Sequence, residues 1–115
     1  MTYEFYAIEG KYKLVDLTYD CIPYPLNKIW DIKNLVAYID GIIIRKDGKT
    51  DLIYKKKDGT FSVFKGSMEV LDPGFRIGKY YIDFHNGLLF IESNKLIGRY
   101  CFVERVEDTE HSKET

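Results

Sequence analysis

Three Asx-Gly dipeptides, Asp47-Gly48, Asp58-Gly59 and Asn86-Gly87, constrain the fold of this chain more than any other feature. Each lies between runs rich in Ile, Tyr, Phe and Val. Each is also a preferred dipeptide for a two-residue type I′ turn, in which both central residues take positive φ. Three β-hairpins are therefore predicted. Two-residue loops also fix register. Around Asp47-Gly48 they set Arg45 opposite Thr50, Ile43 opposite Leu52 and Ile42 opposite Ile53. Around Asp58-Gly59 they set Lys56 opposite Phe61, Tyr54 opposite Val63 and Ile53 opposite Phe64. Ile42, Ile53 and Phe64 then form an expected core row across three antiparallel strands. Around Asn86-Gly87, the inward face is Tyr80, Ile82 and Phe84 with Leu89 and Ile91. The other face is Tyr81, Asp83 and His85 with Leu88, Phe90 and Glu92, which is amphipathic and suited to partial exposure.

Further strands are expected from Thr2 to Ile8, from Lys11 to Leu17 and from Leu96 to Val106. "IPYPLNKIWDIKNL" breaks the alternation. Pro23 and Pro25 remove ladder donors, while Leu26, Ile29, Trp30 and Lys33 fit one helical face, so a short helix near residues 26–34 is predicted. "VLDPGF" reads as a turn with Pro at its second position. About seven short strands, mostly joined by hairpins, make a mainly β chain, all-β or α+β. Such a strongly bent antiparallel meander forms a small barrel or sandwich. Residues 1–106 are read as one β-rich domain and 107–115 as a polar, disordered tail.

With 45% apolar and 16% aromatic side chains among 115 residues, such a domain buries about two thirds of its surface without metal or disulfide staples. No apolar run approaches the roughly 18 residues of a membrane span, and the N-terminus lacks the basic-then-apolar order of a signal peptide, so a cytoplasmic protein with no membrane contact is expected. There, Cys21 and Cys101 are expected to be small buried hydrophobes rather than a disulfide.

The net charge of −1 conceals a basic island. Residues 41–66 carry seven Lys or Arg against three Asp, whereas residues 1–40 carry four against six acids and residues 67–115 six against nine. The hairpin register puts Lys46 and Lys49 at one end of the meander and Lys55, Lys56 and Lys57 at the other. Gly10-Lys11-Tyr12, Gly78-Lys79-Tyr80 and Gly98-Arg99-Tyr100 repeat one phrase at irregular spacing. Ordinary strand physics accounts for it: Gly for a bend at entry, a basic edge guard and a half-buried Tyr. A pseudo-symmetric mouth ringed by Lys11, Lys79 and Arg99 is the alternative.

Little catalytic chemistry is encoded. There are two His, one of them His111 in the tail, no CxxC, no phosphate-binding Gly loop and no complete calcium loop, so neither metal nor cofactor is expected. Asp83 and His85 share a face with Tyr81 and Glu92, but His85 directly precedes a turn, where polar residues are ordinary. No catalytic residue is assigned. Ten Tyr, seven Phe and one Trp exceed what a core of this size needs, and these residues are enriched at interface anchors. The expectation is therefore a small non-catalytic protein-binding module of inhibitor, immunity or phage-accessory type. Its partner-binding residues would be Trp30, Tyr81, Asp83, His85, Phe90 and Glu92. The alternative is a small β-barrel that binds nucleic acid electrostatically through Tyr54, Lys55, Lys56, Lys57 and Phe61. An unpaired edge strand would also permit a homodimer.

Overall fold

The computed structural model describes residues 5, 7–19, 22–92 and 98–104. Its strands, numbered in chain order, are β1 (Gly10–Tyr19), β2 (Ile22–Pro23), β3 (Ala37–Ile44), β4 (Lys49–Lys56), β5 (Phe61–Ser67), β6 (Glu69–Val70), β7 (Phe75–Ile77), β8 (Tyr80–His85), β9 (Leu88–Glu92) and β10 (Gly98–Glu104). They form one antiparallel sheet in the order β5-β4-β3-β1-β10-β9-β8-β7-β6, with β2 paired to β1. The two ends of the sheet approach each other. A methyl group placed on Gly66 of β5 would lie 3.2 Å from Ile77 Cδ1 of β7. The result is a small, nearly closed barrel.

Two bulges let the alternating pattern serve a curved wall. Tyr12, Leu14 and Leu17 are all buried, although Leu14 and Leu17 are three apart and would face opposite ways in a regular strand. The β1·β10 register shifts between Leu14 and Asp16, which leaves Val15 as the extra, exposed residue and returns Leu17 to the interior. In β3 the register shifts between Ile39 and Gly41, so Ile39, Ile42 and Ile44 all point inward. With Leu52, Ile77, Ile82, Leu89, Ile91 and Phe102 they make a fully buried core.

The first two hairpins differ from expectation by one residue. Ile42 faces Leu52 and Gly41 faces Ile53, while Leu52 faces Phe64 and Ile53 faces Val63. Both loops hold three residues. Gly48 N–H donates to Arg45 O at 2.8 Å and Gly59 N–H to Lys56 O at 2.9 Å, with the glycines at φ +90° and +91°. This is a type I turn closed by a bulge. Aspartate decides it. The Asp47 carboxylate accepts from Lys49 N–H at 3.0 Å and the Asp58 carboxylate from Thr60 N–H at 2.9 Å, and each stays out of the positive-φ region that a type I′ turn demands. The two slips coincide at β4, so the row is Ile42–Leu52–Phe64 and Ile53 lies on the outer face; Ile42 and Leu52 are buried, but Phe64, on the terminal strand, is 43% exposed and does not join the core as expected. Asn86 does enter positive φ, at 52°. The third hairpin accordingly keeps its two-residue loop and its expected register.

Further expectations are refined or corrected. The short helix expected near residues 26–34 is present as a six-residue 3₁₀ segment, Leu26–Asp31, interrupted at Lys28. Of the strand expected over Thr2 to Ile8, the described residues Phe5, Ala7 and Ile8 lie outside any strand, with Ala7 and Ile8 in a turn. Leu71 N–H donates to Gly74 O at 2.9 Å, so the turn runs from Leu71 to Gly74 with Pro73 third rather than second; the Asp72-Pro73 bond is cis. In the repeated phrase, Gly78-Lys79 is itself the loop between β7 and β8, with Ile77 facing Tyr80. Lys11 and Arg99 belong to opposite ends of the β1·β10 ladder, where Tyr12 faces Glu104 and Thr18 faces Arg99. The ring of three cations is therefore not formed. Residues 96–97, 105–106 and 107–115 and Cys21, which carry other expectations, lie outside the described residues.

Aromatic side chains fill both ends of the barrel. Phe75 links Phe5 to Phe84, with ring centroids 6.1 and 5.7 Å apart, and Tyr12 meets Phe84 at 6.1 Å. At the other end of β8, the Tyr80 hydroxyl lies 2.7 Å from that of Tyr54, near Tyr100 and Tyr38, and the Trp30 ring lies 5.2 Å from Tyr38.

Candidate protein-binding face

The type I′ turn at Asn86-Gly87 sets Tyr81 opposite Glu92, Asp83 opposite Phe90 and His85 opposite Leu88. Because Ile82, Leu89 and Ile91 are buried, the alternate residues must face outward. Strand β10 extends the same outer face, since Cys101 lies opposite Phe90 and Tyr100 opposite Ile91, which puts Arg99 beside Glu92.

Phe90 is the centre of this face. The Arg99 guanidinium lies over its ring, 4.4 Å from the centroid, and the Arg99 Nε donates to Glu92 at 3.0 Å. A cation over an aromatic face is attracted by the ring quadrupole, so Glu92, Arg99 and Phe90 hold one another in place. On the other flank the His85 ring stands edge-on to Phe90 at 6.3 Å, and His85 Nε2 is 3.4 Å from an Asp83 oxygen. The second Asp83 oxygen accepts from Phe84 N–H at 3.0 Å, which restrains the carboxylate.

Two shallow depressions meet at Phe90 and Arg99. One, of about 160 Å³, is walled by Tyr81, Asp83, Glu92 and the Pro73-Gly74 loop. The other, of about 270 Å³, is walled by Asp16, Thr18, Leu88 and Cys101. The floor is apolar and the rim is charged with both signs. Burial and the Asp16 carboxylate push the Cys101 thiol up from its ordinary value, which lowers its thiolate fraction and its nucleophilicity at neutral pH.

Tyr81, Asp83, His85, Phe90 and Glu92 are thus brought together by the structure, and Tyr81 is 53% exposed. Trp30 is elsewhere, half-buried against Tyr38. Arg99, Asp16 and Cys101 complete the face and were not found by sequence reasoning. The outward side of β10 could have signalled Arg99 and Cys101, but only once its pairing with β9 was known, and Asp16 only through the pairing of β1 with β10, where it faces Cys101.

The lysine-rich alternative is divided. Lys55 lies 6.0 Å above the Phe61 ring, and Lys56 and Lys57 are exposed at the hairpin tip. Tyr54, however, turns into the barrel toward Tyr80. Among the described residues no group of three or more His, Cys, Asp or Glu could hold a metal ion, and no helix is long and apolar enough to cross a membrane. Comparisons with protein-family models, curated proteins and solved structures return no match.

Proposed function

We propose that this chain is a small, non-catalytic protein-binding module of the cytoplasm, of inhibitor, immunity or phage-accessory type, that docks through the outer face of β8, β9 and β10. The observation that carries the reading is the Phe90 centre. An aromatic ring is held under Arg99 between two depressions, with the half-exposed Tyr81 beside it and Asp83, His85, Glu92 and Arg99 as a charged rim. Apolar anchors inside a polar rim are the ordinary anatomy of an interface. Ladder-paired strands fix these anchors before a partner arrives, which lowers the ordering cost of association.

Several features speak against chemistry at the same place. Asp83 and His85 are well exposed, with side-chain exposures of 51% and 64%, and the nearby thiol is disfavoured as a nucleophile. The nucleic-acid reading keeps its lysines but loses one of its two stacking rings, because Tyr54 is committed to Tyr80.

Affinity purification from the organism that encodes the chain tests this reading. Truncating a central anchor typically costs 1 kcal/mol or more, and about 1.4 kcal/mol is tenfold in affinity. Phe90→Ala, and separately Asp83→Lys with Glu92→Lys, should deplete the specific partners by about tenfold while circular dichroism and the melting temperature stay close to the parent's. Undiminished recovery of every partner by both folded variants would overturn the proposal.

A further inference from the structure

A second surface, which shares no residue with the Phe90 face, lies at the edge of the sheet. Strand β5 pairs with β4 and ends the sheet order. Lys56 N–H donates to Thr60 O at 2.8 Å, so Lys56 and Thr60 form a hydrogen-bonded pair. Alternation along an antiparallel ladder then assigns the N–H and C=O of Ser62, Phe64 and Gly66 to β4. The same groups of Phe61, Val63 and Lys65 point away from β4, toward the open edge. Ile77 packs against Gly66, so the accessible edge runs from Phe61 to Lys65.

The side chains of these same three residues face outward. Phe61 is 56% and Val63 50% exposed, and Ile53 lies opposite Val63, giving a short apolar strip. Cations frame it. Lys55 faces Phe61, and Lys65 faces Asp51. The Asp51 carboxylate is engaged by Arg45 at 3.0 Å and Lys65 at 3.5 Å, while among the described residues Lys55, Lys56 and Lys57 form no salt bridge. A second copy of this edge would set lysines against lysines, a like-charge juxtaposition that disfavours pairing.

We propose that the β5 edge accepts an extended acidic segment of a partner protein as an added β-strand. Main-chain bonds from Phe61, Val63 and Lys65 would hold it. Its outward side chains would alternate, with an acid opposite Lys65, an apolar residue over Val63 and Ile53, and an acid near Lys55.

The probe is a synthetic nine-residue peptide, Thr-Thr-Glu-Thr-Val-Thr-Glu-Thr-Thr, which presents Glu, Val and Glu on one strand face, with its Lys-for-Glu counterpart as control, titrated into the full chain and followed through backbone amide chemical shifts. The acidic peptide should shift the amides of Phe61, Val63 and Lys65. Its apparent Kd should rise about tenfold between about 50 and 300 mM NaCl, because exposed charges are screened over that range. The Lys counterpart should bind at least about tenfold more weakly. Val63→Pro removes an outward N–H and leaves the β4 ladder intact, and Lys65→Glu reverses one cation; each should weaken the acidic peptide about tenfold. Lys65→Glu stands alone as the test if the proline variant fails to fold. Four results would overturn the proposal: no shifts with millimolar acidic peptide, equal binding of both peptides, self-association abolished by Val63→Pro, or oligothymidine binding these lysines where the peptide does not.

Discussion

The hydroxyls of Tyr54 and Tyr80 lie 2.7 Å apart and join β4 to β8, strands that are not neighbours in the sheet order. Their rings enter the barrel from either side of the open seam, so one hydrogen bond helps close a wall that the ladder leaves open. Desolvation, then the bond to Tyr80, raises the Tyr54 phenol above its ordinary value, so its hydroxyl stays protonated and either oxygen can donate to the other.

Removing either hydroxyl leaves the other without its partner. Tyr54→Phe and Tyr80→Phe should each cost about 1 kcal/mol in urea unfolding, and the double variant should cost about 1 kcal/mol less than the sum of the two. Additive losses would show that the pair does not act as a unit.

Gly48 and Gly59 occupy equivalent positions in their loops, at φ +90° and +91°, but in different surroundings. A methyl group at Gly59 would meet nothing within 4 Å, whereas at Gly48 it would run into the Phe5 ring. Gly59→Ala should therefore cost about 1 to 2 kcal/mol of backbone strain, and Gly48→Ala at least about 1 kcal/mol more through displaced Phe5. Matched urea midpoints for the two variants would refute the difference in packing.

Burial, then a nearby acid, pushes the phenol of Tyr12 up to about 12, and burial with neighbouring tyrosines does the same for Tyr100. A group whose folded pKa is raised gives stability that is complete below its unfolded value, near 10, and is lost as the pH rises toward the folded value. Unfolding free energy should therefore be insensitive to these groups up to about pH 9 and should fall steeply between about pH 10 and 12. The Arg45 guanidinium, with burial opposing it and Lys65 assisting, lowers the Asp51 carboxyl below its ordinary value. Its contribution should be present above about pH 4 and lost as the pH falls further. Urea titrations across the range, with phenolate absorbance followed in parallel, check both limbs.

How much of this was legible in the sequence depended on where the deciding interaction lay. Asn86-Gly87 could be read to the residue because Asn tolerates positive φ, so the turn and both faces of the β8·β9 hairpin follow from the dipeptide. Asp47-Gly48 and Asp58-Gly59 were located correctly as hairpins but misread in register, since the deciding bonds run from Asp side chains to Lys49 and Thr60. Of the expected core row only Ile42 is buried, because the two one-residue slips exchange Ile53 for Leu52 and Phe64 stands exposed on the terminal strand β5. The bulges at Val15 and Asp40 show in sequence only as interrupted alternation. Arg99 joined the candidate face through the β9·β10 pairing, a tertiary relationship with no local signature, and Trp30 left it because the 3₁₀ turn packs that ring on Tyr38.

The most direct test of the central claim is site-specific photocrosslinking in the organism that encodes the chain. Benzoylphenylalanine replaces Tyr81 on the Phe90 face, or Val36, which is 75% exposed and away from it. The account predicts that irradiation joins the Tyr81-substituted protein to a discrete protein partner and that the Val36-substituted protein forms no such product. The absence of any adduct at Tyr81, or the same adduct in equal yield from both positions, would contradict it.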